Sequence, residues 1–498
     1  MKKNVVKDLF SFIESSPTAF HTVDTIKAIL EKDGFRELSR ADDWKDIGKC
    51  TAGKATGKTP GKGAAPGKYY TTRNNTSIIA FKIGKDVADS YGFMISASHS
   101  DSPTFKIKEN AEISVRGQYT KLNTEGYGGM ICSTWFDRPL SFAGRVVVKE
   151  NDTFVTKLFD PDRDLLMIPN LAIHMNRDVN DGYKYNKQVD LLPLFAGGTD
   201  GAATADEVAG ADGVAGANEV SLKNFVSREL KVSPDSVMGM DLYLYNRMKP
   251  VVWGLNDEFI SAPRLDDLEC AFTSLEGFLA GENSKMVQVY ACFDNEEVGS
   301  GTKQGAASTF LFDVLTRINR NLGKSEDDYE RALSSSFMLS CDNAHAVHPN
   351  HPEKTDDTNC AYLNSGIVIK SHAGQKYTSD AVSVALFRDI CQRAGKTEKA
   401  GKTGKAEEAG KTGKAGGPGV PCQFFANRSD AAGGSTLGNI AMTQVSINCV
   451  DIGLPQLAMH SAYETAGALD VGYMVDVLTE FYNSYIEVHG DSEIECGK

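Results

Sequence analysis

The stretch MVQVYACFDNEEVGS, residues Met286 to Ser300, decides the fold. Its first half is a nearly unbroken run of Val, Tyr, Cys and Phe, which reads as a strand buried on both faces. Asp294, Glu296 and Glu297 arrive where that strand should stop. In open α/β sheets, ligands bind at the carboxyl ends of the strands, so acids placed there are suited to chemistry. Neighbouring residues project differently, so Glu296 and Glu297 can serve separately, one holding a metal and the other facing a water. Taken alone, paired acids at a turn are most often only solvated. The segments around them decide the matter.

The same pattern recurs along the chain. Ser77 to Ile83 reads as a strand, and Tyr91 to Ser98 as a more buried one that delivers His99 and Asp101. Phe337 to Cys341 is followed by Asp342, and a strand over Val445 to Ile452 is followed shortly by His460. Asp266 sits in the run Ala262 to Asp267. Helical spacing marks Val5 to Ile13, Val23 to Leu30, Ala381 to Arg393 and Val471 to Ile486, and Ser461 with Glu464 has the form of a capping box. Strands alternating with helices predict an α/β fold. From about Thr104 to Tyr245 the texture changes to Val- and Ile-bearing segments with a turn-rich centre, which predicts a β-rich insert.

Two imidazoles and several carboxylates, with no thiolate among them, suit a divalent cation, with zinc first and manganese or cobalt also compatible. Five ligands are one too many for a single tetrahedral zinc. Two ions sharing a bridging carboxylate would use them all and could together hold a hydroxide and polarise a carbonyl, at roughly 3.5–4 Å from each other. Any one buried His or Asp at a strand end is as readily a structural hydrogen-bond partner; the repetition, strand after strand, favours the site.

Bulk properties narrow the classes. A chain of 498 residues predicts two domains. Its 53 basic and 66 acidic residues leave a net charge of −13, which argues against nucleic acid or an anionic membrane as the main partner. No apolar run is long enough to span a bilayer, and the charged start Met1-Lys2-Lys3 is unlike a secretory signal, so a cytoplasmic protein is expected. The ten cysteines are scattered without a C-x-x-C pair, as in a reducing compartment. Lys49 to Lys68, Ala196 to Glu219 and Gly395 to Gly419 are rich in Gly, Ala, Lys, Thr and Asp, with little to bury, and read as flexible loop insertions.

The run Ser96 to Pro103, the segments Ala262 to Asp267, Phe293 to Ser300, Asp342 to Asn350 and Pro455 to Ser461, and Asn170 to His174 together resemble the M18 family of metalloaminopeptidases, the aspartyl aminopeptidase and aminopeptidase I group. The resemblance implies a metallopeptidase domain, a mixed sheet flanked by helices, in two parts (1–103 and 251–498), interrupted by an inserted β-rich dimerisation domain (104–250). It implies homodimers that build a dodecamer. It also implies that His99 and Asp342 bind one metal and Glu297 and His460 the other, with Asp266 bridging, and that Glu296 is the general base. Asp101 would fix the His99 ring by accepting its second N–H, and His174 would reach a neighbouring subunit's site. Lys370 would attract an acidic side chain at the substrate N-terminus, with His345 and His348 lining the pocket. The turn Asn427 to Thr436 departs from the familiar family wording, as do the three insertions.

The activity implied is removal of N-terminal residues from peptides by a two-zinc hydrolase, with acidic N-termini preferred. A peptidase or deacylase of the same architecture acting on neutral residues or another amide is the alternative within enzymes. A non-catalytic assembly or cargo protein that kept the fold would show degenerate ligands, whereas all five ligands and the base are present here.

Overall fold

Val287, Val289, Ala291 and Phe293 pack into one hydrophobic core, while Tyr290 and Cys292 between them pack into another. This alternation, with both sides buried, explains why the strand carries no polar face. The computed structural model describes residues 2–45, 47, 67–87, 91–197, 221–394, 419–490 and 492–498. The three low-complexity stretches lie almost wholly outside these residues; of their described residues, Lys68 opens a strand, and Ala196 and Gly197 close another.

Contacts divide the chain into two units, Met1–Asp101 with Pro250–Met459 and Glu464–Lys498, and Ser102–Lys249 with His460–Tyr463. The expected boundaries differ by one or two residues, and the short return at 460–463 was not expected at all. Within the second unit that return is pinned by Ile131 N donating to His460 O (3.0 Å), Asn246 Nδ2 to Ala462 O (2.8 Å) and Ala462 N to Thr134 Oγ1 (2.9 Å).

Among the described residues, the first unit is built around a nine-stranded sheet: β1 (Arg36–Glu37), β2 (Lys68–Arg73), β3 (Ser77–Ile83), β4 (Phe93–His99), β5 (Val287–Phe293), β6 (Phe337–Cys341), β7 (Ile367–Lys370), β8 (Cys422–Phe425) and β9 (Asn448–Gly453). Their order is β1-β2-β3-β5-β4-β6-β9-β7-β8. The central four, β5, β4, β6 and β9, run parallel, while β3 and β7 flank them antiparallel. Helices Lys2–Glu14, Ala19–Lys32, Leu265–Ala280, Ala381–Ala394 and Ala468–Tyr482 share a core with one face of the sheet. Helices Phe310–Asn321, Glu326–Ser334 and Leu437–Ala441 share a core with the other.

Several expected elements shift. The last long helix ends at Tyr482, and Tyr485–Val488 is a strand, so the helical reading to Ile486 runs too far. Val445 donates its N–H to Ala441 O at the end of a short helix, and β9 begins only at Asn448. Glu464 is no helix cap: it starts the strand Glu464–Gly467 and is fully buried.

Helix Leu265–Ala280 crosses Ala468–Tyr482 so closely that a Cβ on Gly277 would lie 2.3 Å from Leu478 Cβ. Glycine is what the approach of the two backbones permits there. Tyr482 then reaches the sheet, its hydroxyl 2.6 Å from Ser96 Oγ and donating to Val289 O at 2.7 Å.

The second unit is a six-stranded antiparallel sheet in the order Thr153–Phe159, Leu140–Glu150, Val237–Asn246, Thr104–Val115, Tyr119–Tyr127, Leu194–Gly197. Helix Leu222–Leu230 covers one face, with Phe225 against Phe142, Phe159 and Phe195. Among the described residues, no helix is long and apolar enough to cross a membrane.

Candidate metal centre

Because β5, β4, β6 and β9 are parallel, their C-terminal ends share one edge of the sheet. His99 closes β4 opposite Phe293, which closes β5, and Asp342 follows the end of β6. Asp266 and Asp267 come from elsewhere, the first turn of helix Leu265–Ala280, where their backbone departs from helical dihedrals and the peptide between them is cis. Arg264 anchors that turn by donating to Ser16 O and Ile13 O, both at 3.1 Å. The Asp266 amide donates to Glu464 Oε2 at 3.0 Å, and the His99 amide to Asp267 Oδ2 at 3.0 Å.

His99 Nε2 lies 3.4 Å from Asp266 Oδ1 and 3.8 Å from Asp342 Oδ1. One ligand atom from each of His99, Asp266, Asp267 and Asp342 lies within 4.8 Å of the others, and the same holds for His99, Glu296 and Glu297. Donors bound to one zinc at about 2 Å are separated by no more than about 4 Å, so modest inward rotations would seat a cation among these atoms.

The electrostatics agree with the spacing. Burial, with the neighbouring charge of Asp342 and Asp266 added, pushes Asp267 well above the carboxylate range against the pull of His99. Burial raises Glu297 strongly, with Asp266 next. Burial also pushes Glu296 up to about 8, with His99 opposing and Asp342, Asp101 and Asp266 adding to it. Burial works against a charged His99 ring, yet Asp267, Asp101, Asp266 and Asp342 together hold its pKa well above the ordinary value. A field that favours a proton on an imidazole favours a metal cation among the same oxygens. The nearby thiols are poor competitors, since burial raises both Cys270 and Cys341 and keeps them protonated. Oxygen and imidazole donors of this kind fit zinc, with manganese and cobalt chemically compatible.

Asp101 does more than stand behind the imidazole. His99 Nδ1 lies 3.0 Å from the Asp101 carbonyl oxygen and 3.4 Å from its carboxylate. The two carboxylate oxygens of Asp101 instead accept the amides of Glu296 and Glu297, at 3.1 and 3.2 Å. One acid thus ties the end of β4 to the turn after β5.

Lys370 closes β7 beside Asp342. Its ammonium is buried and donates to Asp342 O at 2.8 Å, Asp342 Oδ2 at 3.2 Å and Asn343 O at 3.3 Å. Burial opposes the charge on each partner, but each stabilises the other, so Asp342 is held below the carboxylate range and Lys370 stays protonated. His345 is exposed, its ring 6.1 Å from Phe425, and His348 is exposed beside His351. His460 belongs to the short return of the second unit, immediately after Met459, with a left-handed φ of 66°. His174 lies exposed in a turn of the second unit.

Sequence reasoning passed over Asp267 and misread Glu464. The doubled acid in Leu265-Asp266-Asp267 was a signal for the first, whereas nothing local distinguished Glu464 from a helix cap.

The model of the family described as Aminopeptidase I zinc metalloprotease (M18) matches residues 12–482. The chain is similar to a probable M18 family aminopeptidase 2 of Clostridium novyi (strain NT), with 44% identity over 486 residues covering 97% of this chain and 100% of the relative. Among solved structures it is similar to the chain in the cryo-EM structure of the Ape4 and Nbr1 complex, with a TM-score of 0.81 and 33% identity, covering 97% of this chain and 86% of that one. It is also similar to the S. cerevisiae mApe1 dodecamer, with a TM-score of 0.73 and 25% identity, covering 96% of this chain and 95% of that one. The chain therefore belongs to the M18 family and is a zinc metalloaminopeptidase.

Proposed function

We propose that the enzyme is a two-metal aminopeptidase, in which His99 and Asp342 hold one ion, Glu297 and His460 hold the other, and Asp266 bridges them. The observation that carries this reading is the convergence of His99, Asp266 and Asp342 at the strand ends, with Glu296 and Glu297 beside the same imidazole. The proposed place of His460 rests on chain connectivity, since it follows the strand Pro455–Leu457 by three residues. Bound zinc would act as a Lewis acid and lower the pKa of the attacking water.

Glu296 is the proposed general base. Held by its amide to Asp101, it would accept the proton of the attacking water and then donate it to the leaving amine. Burial, with Asp342, Asp101 and Asp266 adding to it, holds a proton on Glu296 up to about 8, and bound cations would offset the field of those carboxylates and so favour the ionised base. Asp101 would keep Glu296 and Glu297 apart in role by fixing both their amides.

We further propose that acidic N-terminal residues are preferred, with Lys370 as the positive charge. Its ammonium is balanced by Asp342, so it would be available to a substrate only as far as a cation takes up the charge of Asp342. That same burial favours a second reading, in which the pocket takes neutral residues.

Self-association is proposed as well. Leu171, Ile173, Met175 and Val189 of the second unit are 54%, 48%, 70% and 68% exposed, an apolar surface of the sort that covers itself with a partner. The 25%-identical structure, a dodecamer by its own description, supports self-assembly, and His174 is proposed to reach a neighbouring copy in it. A cytoplasmic setting is inferred from the cysteines, none of which is disulfide-bonded among the described residues.

Glu296→Gln is expected to lower kcat by about 10²–10⁴-fold with zinc content unchanged, as measured by elemental analysis alongside anilide hydrolysis, and parental turnover would refute the base. On aminoacyl-anilides, kcat/KM is expected to rank Asp and Glu above Leu, with N-blocked peptides inert. Lys370→Met should lower the Asp-to-Leu ratio about tenfold; a ratio that does not move would assign the preference elsewhere and favour the neutral pocket. His174→Ala is expected to reduce kcat about 10²-fold while the assembled mass, read by light scattering, stays the same; an unchanged rate would remove His174 from the site.

A further inference from the structure

The turn that carries Glu296 and Glu297 is gripped from two sides, and only one of them is Asp101. Asn295, immediately before Glu296, is left-handed at φ 65°, as are Gly299 and Ser300 after it, at 92° and 59°. Such a turn keeps its shape only where its surroundings hold it. The Asn295 side-chain oxygen accepts Gln304 Nε2 at 2.8 Å and Thr302 Oγ1 at 2.8 Å. Gln304 Nε2 also lies 3.3 Å from Asp294 Oδ2, so one amide group spans the two residues that join β5 to the turn.

The main chain of Gln304 is fixed to the same support. Ser77 Oγ, at the start of β3, donates to Gln304 O at 2.8 Å and accepts the Asp294 amide at 2.9 Å. Gly305 packs so tightly under Ser300 that a Cβ there would lie 2.2 Å from Ser300 O, which leaves the loop no room to slide. Gln304 is therefore rigidly mounted, and both protons of its amide point into the turn rather than to solvent-facing groups of its own loop.

We propose that Gln304 is a positioning residue for the peptidase reaction, aiming the Glu296 carboxylate by clamping Asp294 and Asn295. This rests on the reading of Glu296 as the base. Gln304 touches neither the carboxylates of Glu296 and Glu297 nor any other member of the metal cluster among its hydrogen bonds, so its removal should misdirect the base without stripping ligands. Supporting groups one layer behind a reactive residue are commonly worth 10- to 100-fold in activity.

The test uses the full-length enzyme and two variants of similar shape, Gln304→Met, which has no donor, and Gln304→Glu, which offers no amide. Both are expected to lower kcat about 10- to 100-fold, with KM, zinc content and melting temperature near the parental values. Parental kcat in both variants would overturn the proposal, and so would a fall in kcat matched by loss of zinc, which indicates a merely structural role. In the Glu296→Gln background, Gln304→Met should lower the residual rate no further; an additional tenfold loss would show that Gln304 acts on something other than the base. A Glu296→Gln enzyme at full rate would sink the base assignment itself, whereas the single-variant results sink only the clamp.

Discussion

Like charge confined in a small volume is the constraint around which the first unit is built. Asp266, Asp267, Glu297 and Asp342 gather about one buried imidazole; burial, with mutual repulsion added, raises the proton affinity of Asp267 and Glu297, whereas Lys370 and His99 outweigh burial and lower that of Asp342. Such a cluster is tolerable in a folded protein only if hydrogen bonds fix each acid and positive charge is drawn in. The fixing is visible throughout: the His99 amide on Asp267, the Asp266 amide on Glu464, and Lys370 on Asp342. The positive charge is what a zinc peptidase supplies.

The sheet makes that crowding possible. Four parallel strands, buried on both faces, bring their C-terminal ends to one edge with little freedom to shift register. Helix Leu265–Ala280 lies against this sheet and presents its first turn to the same region, while Gly277 lets the helix behind it close in. Asp101 then links two neighbouring strand ends by accepting the amides of both glutamates. Rigidity in the strands, rather than in the loops, sets the position of the reactive groups.

What could be read in the sequence follows from these same physical causes. β3 and β6 were legible to the residue, and β5 nearly so, because a doubly buried strand is a short apolar run ending in a polar residue. The acids that follow β5 and β6 stood out for the same reason. Helix Leu265–Ala280 was not legible: thirteen of its sixteen residues are buried, so it has no polar stripe for a helical period to reveal. Asp267 and Glu464 gain their importance from partners that are distant in sequence, as does the engagement of Lys370 with Asp342. The return of residues 460–463 to the second unit is held through its own backbone groups by Ile131, Thr134 and Asn246, partners more than two hundred residues away, so nothing in the local residue types marks it.

The central claim is that Asp266 bridges two ions. Zinc counted per chain on purified enzyme and on Asp266→Ala by plasma mass spectrometry tests it most directly. Two zinc ions per chain are expected in the parent, and near-complete loss of both from the variant. A parent that saturates at one ion, or a variant that keeps one ion at full occupancy, would contradict a shared bridge.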